Sequence, residues 1–143
     1  MNLTRAIHIA TEAHKEQKNK VGKPYITHVM RVMERCKSDD EKIVAVLHDV
    51  VEDTSTTHDD LRKEGFNEKV LSAIDAITQR KKESKTAYIE RVKKNSLATR
   101  VKLNDLEDNM DVRRLPKITE RDVKRLNKYL RTYRKLLKMT MGE

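Results

Sequence analysis

The stretch Ala45-Val46-Leu47-His48-Asp49-Val50-Val51-Glu52-Asp53 ends an apolar run with four ionisable side chains. A histidine beside an aspartate offers one nitrogen and one oxygen to a metal ion. On a continuing helix, Glu52 and Asp53 follow His48 and Asp49 by four residues and lie one turn further along the same face. Burying four such groups is costly unless a cation or a reaction uses them. The stretch is therefore a candidate metal or catalytic site, and the alternative is an ordinary helix end with a common dipeptide.

Apolar residues recur with a helical period on both sides of this stretch, and no segment alternates as a strand would. Ser38 to Glu41 has the pattern of a capping box, which predicts a helix start just before Ile43. Pro24 is well placed to begin the helix that precedes the one at Ser38. We further predict helix starts at Thr57 and Asn67, a loop from 79 to 85, a helix from about 86 to 94, one through 101–110, and a final helix from Thr119. Three glycines and two prolines leave few breakers, so the sequence predicts an all-α helical bundle, one domain over residues 1–143.

The chain is strongly basic, with 32 Lys and Arg against 23 Asp and Glu and a net charge of +9. This balance indicates an anionic partner, without by itself separating nucleic acid, a membrane surface and a small polyphosphate. Only 3% of the residues are aromatic, which weakens the case for stacking on single-stranded nucleic acid.

The single cysteine, Cys36, excludes an intramolecular disulfide and suits a reducing compartment. The first residues lack a basic segment followed by an apolar one, and no apolar run approaches the length of a bilayer span. From these features we expect a cytoplasmic protein.

A second candidate ligand lies in the stretch Val101-Lys102-Leu103-Asn104-Asp105-Leu106-Glu107-Asp108-Asn109-Met110. Asp105 falls within an apolar repeat, and Asn109 lies one turn further on the same face. A carboxylate at a buried position is either partnered or a metal ligand, because bare burial would force it to neutralise.

Four motifs in this order resemble the HD-domain hydrolases of the RelA/SpoT type, in particular the single-domain small alarmone hydrolases. They are Ala13-His14, the stretch Gly22-Lys23-Pro24-Tyr25-Ile26-Thr27-His28, the stretch from Leu47 to Thr54, and Val101 to Asp105 with Asn109-Met110. The resemblance covers about residues 5–115 and implies a helical bundle of the HD-domain type.

The resemblance also implies the roles of individual residues. His28, His48, Asp49 and Asp105 match four ligands of one divalent ion, in that family usually Mn²⁺. Glu52 and Asp53 match the acidic pair beside the metal water. Asn109 matches a residue that contacts the ribose or phosphate of the substrate. The reaction implied is hydrolysis of the 3′-pyrophosphate of guanosine 3′,5′-bis(diphosphate) and its pentaphosphate analogue, which releases pyrophosphate and GDP or GTP. The resemblance thus implies a small-molecule nucleotide as partner, rather than nucleic acid or a membrane.

Basic residues near the motifs are candidates to bind the phosphates of such a substrate: Lys20, Lys23 and Lys102. The alternative for each of them, and the more common case for a single basic residue, is a solvated surface charge.

The sequence departs from the resembling family in two stretches, in which Asn19 and Asp111 are the positions that bear on base recognition. An arginine that stacks on guanine is replaced by Asn19, and the usual Arg-Leu-His-Asn-Met-Arg after the ligand aspartate reads Leu106-Glu107-Asp108-Asn109-Met110-Asp111. Base recognition is therefore open, and one alternative is a phosphohydrolase for another nucleotide, such as an NADP(H) phosphatase or a nucleotidase.

Another alternative is a non-catalytic binding module, because the final helix carries a row of cations: Lys124, Arg125, Lys128, Arg131, Arg134, Lys135 and Lys138.

Overall fold

The computed structural model describes residues 2–19 and 21–140, with only the backbone described for residues 139 and 140. The helices of these residues follow in this order: α1 (Leu3–Ala13), α2 (Ile26–Arg35), α3 (Asp39–Leu47), α4 (Val50–Asp53), α5 (His58–Lys63), α6 (Glu68–Ile77), α7 (Lys85–Lys93), α8 (Ser96–Asn109), a 3₁₀ helix (Val112–Arg114) and α9 (Glu120–Thr140). The described residues contain no strand, only an isolated bridge between Lys18 and Pro24. The predicted all-α architecture is confirmed, while the extent of the domain over 1–143 stays a prediction.

Helix α3 lies at the centre of the bundle, between α1, α2, α6 and α8. Its residues 44–47 are completely buried, so the helix is apolar on every side rather than along one stripe. Val29 and Val32 of α2 and Val101 of α8 belong to the same core. None of the helices described has the length and apolarity needed to cross a bilayer.

Capping side chains begin several helices where the sequence predicts them. Ser38 Oγ accepts a hydrogen bond from Glu41 N at 3.1 Å, Asn67 caps α6, and Thr57 forms a reciprocal capping box with Asp60. These bonds satisfy amide groups that have no partner inside the helix.

Two helix starts differ slightly from the prediction. Helix α2 begins at Ile26 rather than at Pro24, because Tyr25 N donates to Gln17 O at 2.8 Å and holds this turn against the preceding loop. Helix α7 begins at Lys85, one residue early, since Ser84 Oγ caps it by accepting from Ala87 N.

The predicted continuous helix through His48 to Asp53 is wrong. Helix α3 ends at Leu47, and Val50–Asp53 form the separate short helix α4. His48 Nδ1 lies 2.5 Å from Ala45 O, the carbonyl that the Asp49 amide would use in an unbroken helix. The turn between α3 and α4 places His48 and Asp49 at a corner that faces α2 and α8.

Candidate metal centre and cleft

The four predicted metal ligands lie together in the interior of the bundle. His28 Nε2 is 2.9 Å from Asp105 Oδ1, and His48 Nε2 is 3.4 Å from the same oxygen. Asp49 Oδ2 is 3.0 Å from His48 Nε2. Ligand atoms of His28, His48 and Asp49 all lie within 4.8 Å of one another, which is a spacing that could hold one ion. All four residues are at most 9% exposed.

The donor set fits a cation. His48 Nε2 is buried and has no hydrogen-bond partner among the described residues, although two carboxylate oxygens lie within 3.4 Å. Burial disfavours charge on His48, yet the charge of Asp49 and contacts to Asp105 raise its pKa well above the ordinary value. The centre of the site thus favours positive charge, which a divalent ion between these nitrogens and oxygens would supply.

Neighbouring groups fix the orientation of these ligands. His28 Nδ1 lies 2.7 Å from Asp108 Oδ2, and His48 Nδ1 lies 2.5 Å from Ala45 O. A carboxylate and a carbonyl only accept, so each ring carries a proton on Nδ1 and turns Nε2 towards the site. Tyr25 also donates its hydroxyl hydrogen to Asp49 Oδ2. This is the outer hydrogen bonding that ligating side chains require.

The predicted acidic pair lies on α4 next to the ligands. Glu52 is exposed and accepts a hydrogen bond from Gln79 N, and partial desolvation of its carboxyl group raises its pKa above the ordinary value. Asp53 Oδ2 accepts from Gln17 Nε2 at 3.1 Å. A carboxylate with a raised pKa is the better proton acceptor near neutral pH, which makes Glu52 a candidate general base.

Lys102 and Asn109, both on α8, contact the ligand Asp105. Lys102 Nζ lies 2.9 Å from Asp105 Oδ2, and Asn109 Nδ2 lies 3.4 Å from Oδ1. Burial disfavours the charge of Lys102, but Asp105 outweighs it and raises the pKa of the lysine. The predicted phosphate-binding Lys102 is therefore an internal ion-pair partner of a ligand as well.

The sequence did not indicate a role for Lys85, which the structure brings close to the same centre. Its Nζ lies 5.4 Å from the centre of the Tyr88 ring, and Lys102 Nζ approaches that ring at 5.8 Å. Burial and then the charge of Lys102 lower the pKa of Lys85. No local pattern marked this lysine, since its place depends on how α7 packs on α8.

A cleft of about 770 Å³ opens beside His28, between the loop before α2 and the start of α9. Lys23 and Asn109, both predicted as site residues, line it, whereas Lys20 lies outside the described residues. Arg31, Arg114 and Tyr129 also line the cleft, and the sequence did not indicate them as site residues. Arg125, predicted on the basic face of the final helix, also lines the cleft and binds Asp122 at 2.6 Å.

The other six predicted cations of α9 are exposed. Their face points away from the cleft and forms a separate basic surface, made of Lys124, Lys128, Arg131, Arg134, Lys135 and Lys138.

The two positions that depart from the resembling family are occupied by internal contacts. Asn19 Oδ1 accepts from the backbone amides of Val21 and Lys23, both at 3.0 Å, and closes the loop before α2. Asp111 binds Arg113 at 2.7 Å and Arg114 at 3.4 Å, and the hydrogen bonds from Arg113 keep the pKa of Asp111 far below its ordinary value. Both residues line the cleft, but their side-chain oxygens serve the fold.

Comparisons with known proteins agree with this geometry. Residues 6–142 match the HD domain family. A guanosine-3′,5′-bis(diphosphate) 3′-pyrophosphohydrolase of Aquifex aeolicus (strain VF5) is 39% identical over 118 residues, which are 76% of this chain and 17% of the relative. The bifunctional (p)ppGpp synthase/hydrolase SpoT of Escherichia coli (strain K12) is 33% identical over 67% of this chain and 15% of its own.

A solved structure extends the likeness to the whole fold. It is that of a metazoan ortholog of SpoT that hydrolyzes ppGpp and plays a role in starvation responses, and it superposes with a TM-score of 0.76 at 25% identity. The match covers 94% of this chain and 84% of that one. The chain spans less than a fifth of the length of the curated relatives it matches. The family match over nearly the full sequence and the ligand geometry lead to one conclusion: the chain belongs to the HD domain family.

Proposed function

We propose that the chain hydrolyses the 3′-pyrophosphate of guanosine 3′,5′-bis(diphosphate) and of its pentaphosphate analogue. The observation that carries this proposal is the convergence of His28, His48, Asp49 and Asp105 beside an acidic pair, at the end of a cleft with cationic walls. The similarity to relatives named as 3′-pyrophosphohydrolases supports the substrate.

The four ligands would hold one divalent ion, and the resemblance to alarmone hydrolases favours Mn²⁺. Two nitrogens and two oxygens leave positions for water and substrate, as a catalytic site needs. When bound, the ion would lower the pKa of a water molecule and polarise a phosphoryl oxygen. Ligand chemistry alone also permits other transition metals.

Glu52 and Asp53 would accept the proton of the attacking water and orient that water towards phosphorus. Glu52, with its raised pKa, accepts the proton as the water oxygen bonds to phosphorus. The bond between that phosphorus and the ribose 3′ oxygen breaks, the 3′ oxygen takes up a proton, and pyrophosphate leaves with GDP or GTP as the other product. Asp53 keeps its orientation through Gln17, which donates to its Oδ2.

The cations of the site would neutralise the phosphates. Lys23 lines the cleft with Arg125, and Lys85 and Lys102 lie beside Asp105. Lys20, three residues before Lys23 in the sequence, remains a further proposed phosphate contact. Asn109 projects from α8 into both the cleft and the ligand set, which suits contact with ribose or phosphate.

A substrate panel with added Mn²⁺ tests the reaction. The substrates are guanosine 3′,5′-bis(diphosphate), NADP⁺, NADPH and simple nucleoside phosphates, and pyrophosphate and orthophosphate are measured separately. We expect pyrophosphate from the first substrate. Asp105→Asn should lower turnover by at least about 100-fold, because even outer-shell losses at metal sites cost about 10- to 100-fold. Glu107→Gln is the matched control on the same helix, since Glu107 pairs with Arg35 outside the site.

Orthophosphate release alone, with the bis(diphosphate) untouched, would overturn the proposed substrate and favour the nucleotide phosphatase alternative. Full activity of Asp105→Asn would overturn the hydrolytic site. Duplex binding that is lost on Lys124→Glu and Lys128→Glu, and kept in Asp105→Asn, would instead support the binding-module alternative.

A further inference from the structure

Asp108 is a completely buried carboxylate that the proposed reaction does not use. It lies on α8 three residues after the ligand Asp105 and therefore on a neighbouring part of the same helix face. The adjacent Glu107 is half-exposed, so the two carboxylates of this short acidic run have different surroundings. In the resembling family a histidine occupies the position of Asp108, so the carboxylate is a feature of this chain.

The Asp108 carboxylate contacts a proposed metal ligand and two arginines, and a third arginine, Arg35, lies 3.9 Å from its Oδ1. Its Oδ2 lies 2.7 Å from His28 Nδ1, and Arg31 binds it with two nitrogens, Nε at 2.9 Å and Nη2 at 3.2 Å. Arg114 Nη2 lies 3.4 Å from Oδ2 and donates to the backbone carbonyl of Asp108 at 2.8 Å. A two-pronged guanidinium contact fixes both position and plane of a carboxylate.

The geometry determines which nitrogen of His28 can bind an ion. Asp108 Oδ2 accepts from Nδ1 and holds a proton there, so Nε2, which lies 2.9 Å from Asp105 Oδ1, is the nitrogen left to bind an ion. A carboxylate behind a ligating histidine raises the basicity of the ring and restrains its rotation. The two arginines in turn belong to the wall of the cleft. Asp108 thus connects the ligand set with the surface where substrate would lie.

We propose that Asp108 is a positioning residue, which fixes the ring orientation and tautomer of His28 for metal binding and is itself held by Arg31 and Arg114. This inference rests on the proposed metal centre. Asp108 touches neither the ion nor the substrate and acts through His28.

Metal affinity of purified variants, measured by calorimetry with Mn²⁺, tests the inference. Asp108→Leu removes the acceptor at similar volume, and Asp108→Asn keeps one oxygen but loses the charge that binds the arginines. We expect the dissociation constant for Mn²⁺ to rise about 100-fold in the first and about 10-fold in the second, the range for outer-shell partners of metal ligands. Glu107→Gln, the neighbouring carboxylate-to-amide change, should stay within about twofold of wild type. Circular dichroism in the presence of a chelator establishes that each variant is folded.

A role in the fold alone would lower the unfolding temperature and leave the metal affinity of the folded variants unchanged. That outcome overturns the inference. If Asp108→Leu does not fold, Asp108→Asn decides the test. Weaker Mn²⁺ binding by folded Asp108→Asn supports the inference, and unchanged binding overturns it.

Nitrogen-15 NMR of the wild-type imidazoles, with diamagnetic Zn²⁺ bound, provides a test without any variant. We expect His28 to bind through Nε2 and to keep a slowly exchanging proton on Nδ1. Ligation through Nδ1, or a Nδ1 proton that exchanges as fast as an exposed one, overturns the inference. Absence of metal binding by the wild-type protein would instead refute the metal centre and the inference with it, whereas wild-type binding with unaffected Asp108 variants refutes the inference alone.

Discussion

Replacing Lys102 by Met should destabilise the metal-free protein and strengthen its affinity for the ion. Lys102 Nζ lies 2.9 Å from Asp105 Oδ2, and the two side chains are 15% and 5% exposed. Methionine keeps most of the length of the lysine stem, so packing changes little while the charge is lost. The variant therefore isolates the contribution of one buried charge.

The magnitude follows from the surroundings of Asp105. Removal of one partner of a buried ion pair costs about 3–5 kcal/mol. His28 still contacts the other oxygen of Asp105, so we expect the lower end, about 3 kcal/mol, in the metal-free protein. A bound cation would compensate the carboxylate and reduce the loss to about 1 kcal/mol. The difference of about 2 kcal/mol must appear as metal binding that is about 30-fold tighter.

Urea unfolding with chelator and with saturating Mn²⁺ measures both free energies, and calorimetry measures the affinity. Lys93→Met is the matched control, because Lys93 forms an ion pair with Glu90 at the same sequence spacing on the exposed side of α7. That change should cost less than about 0.5 kcal/mol in either condition. Equal destabilisation of Lys102→Met with and without metal, or weaker metal binding, would refute the argument that lysine and ion compensate the same carboxylate.

Two further predictions concern acidic residues. Glu52→Gln should lower kcat by about 10²- to 10⁴-fold while Mn²⁺ affinity stays within about threefold, since it removes a proton acceptor and no ligand; an equal loss of metal affinity, measured by calorimetry, would assign Glu52 to the ligand set instead. Glu83→Gln should reduce stability at neutral pH, because the hydrogen bonds from Arg91 lower the pKa of Glu83 from about 4.5 to about 2. A carboxyl group whose pKa is lowered in the folded state stabilises the fold at pH values above its pKa in the unfolded chain. This contribution is lost as the pH falls towards 2, the pKa of Glu83 in the folded state. Thermal unfolding of wild type and variant should therefore converge over that interval, and a constant gap down to pH 2 would contradict the assignment.

Three of the four proposed ligands, His48, Asp49 and Asp105, stand out in local patterns of the sequence, whereas His28 was predicted only through the resemblance to the alarmone hydrolases. A histidine beside an aspartate at the end of an apolar run, and an aspartate inside an apolar helical repeat, indicate buried polar groups that need a partner. The interruption between α3 and α4 was not predictable from that pattern. It depends on His48 bonding to Ala45 O, and an unbroken helix has the same apolar periodicity.

Residues that reach the site through packing gave weaker signals. Lys85 lies on α7 and is close to Asp105, and Tyr129 lies on α9 and lines the cleft. Both positions depend on how these helices pack against α8. Asp108 did leave a signal in the sequence. It follows Asp105 by three residues just as Arg31 follows His28, so a pair of helices that brings the ligands together also brings the carboxylate to the guanidinium.

The substitutions that separate this chain from the resembling hydrolases have a structural explanation. The Asn19 oxygen accepts from two backbone amides, and the Asp111 carboxylate pairs with two arginines, so neither side chain takes over the role of the base-stacking arginine. Asp108 at the same time forms ion pairs with Arg31 and Arg114, two cations in the wall of the cleft. The positive charges of these two arginines are thus paired with the carboxylate that orients His28, and they do not face a nucleotide as free cations. The chemistry of the centre depends on groups inside the bundle, whereas selection among nucleotides has to depend on the remaining wall of the cleft, where Tyr129 offers an aromatic ring.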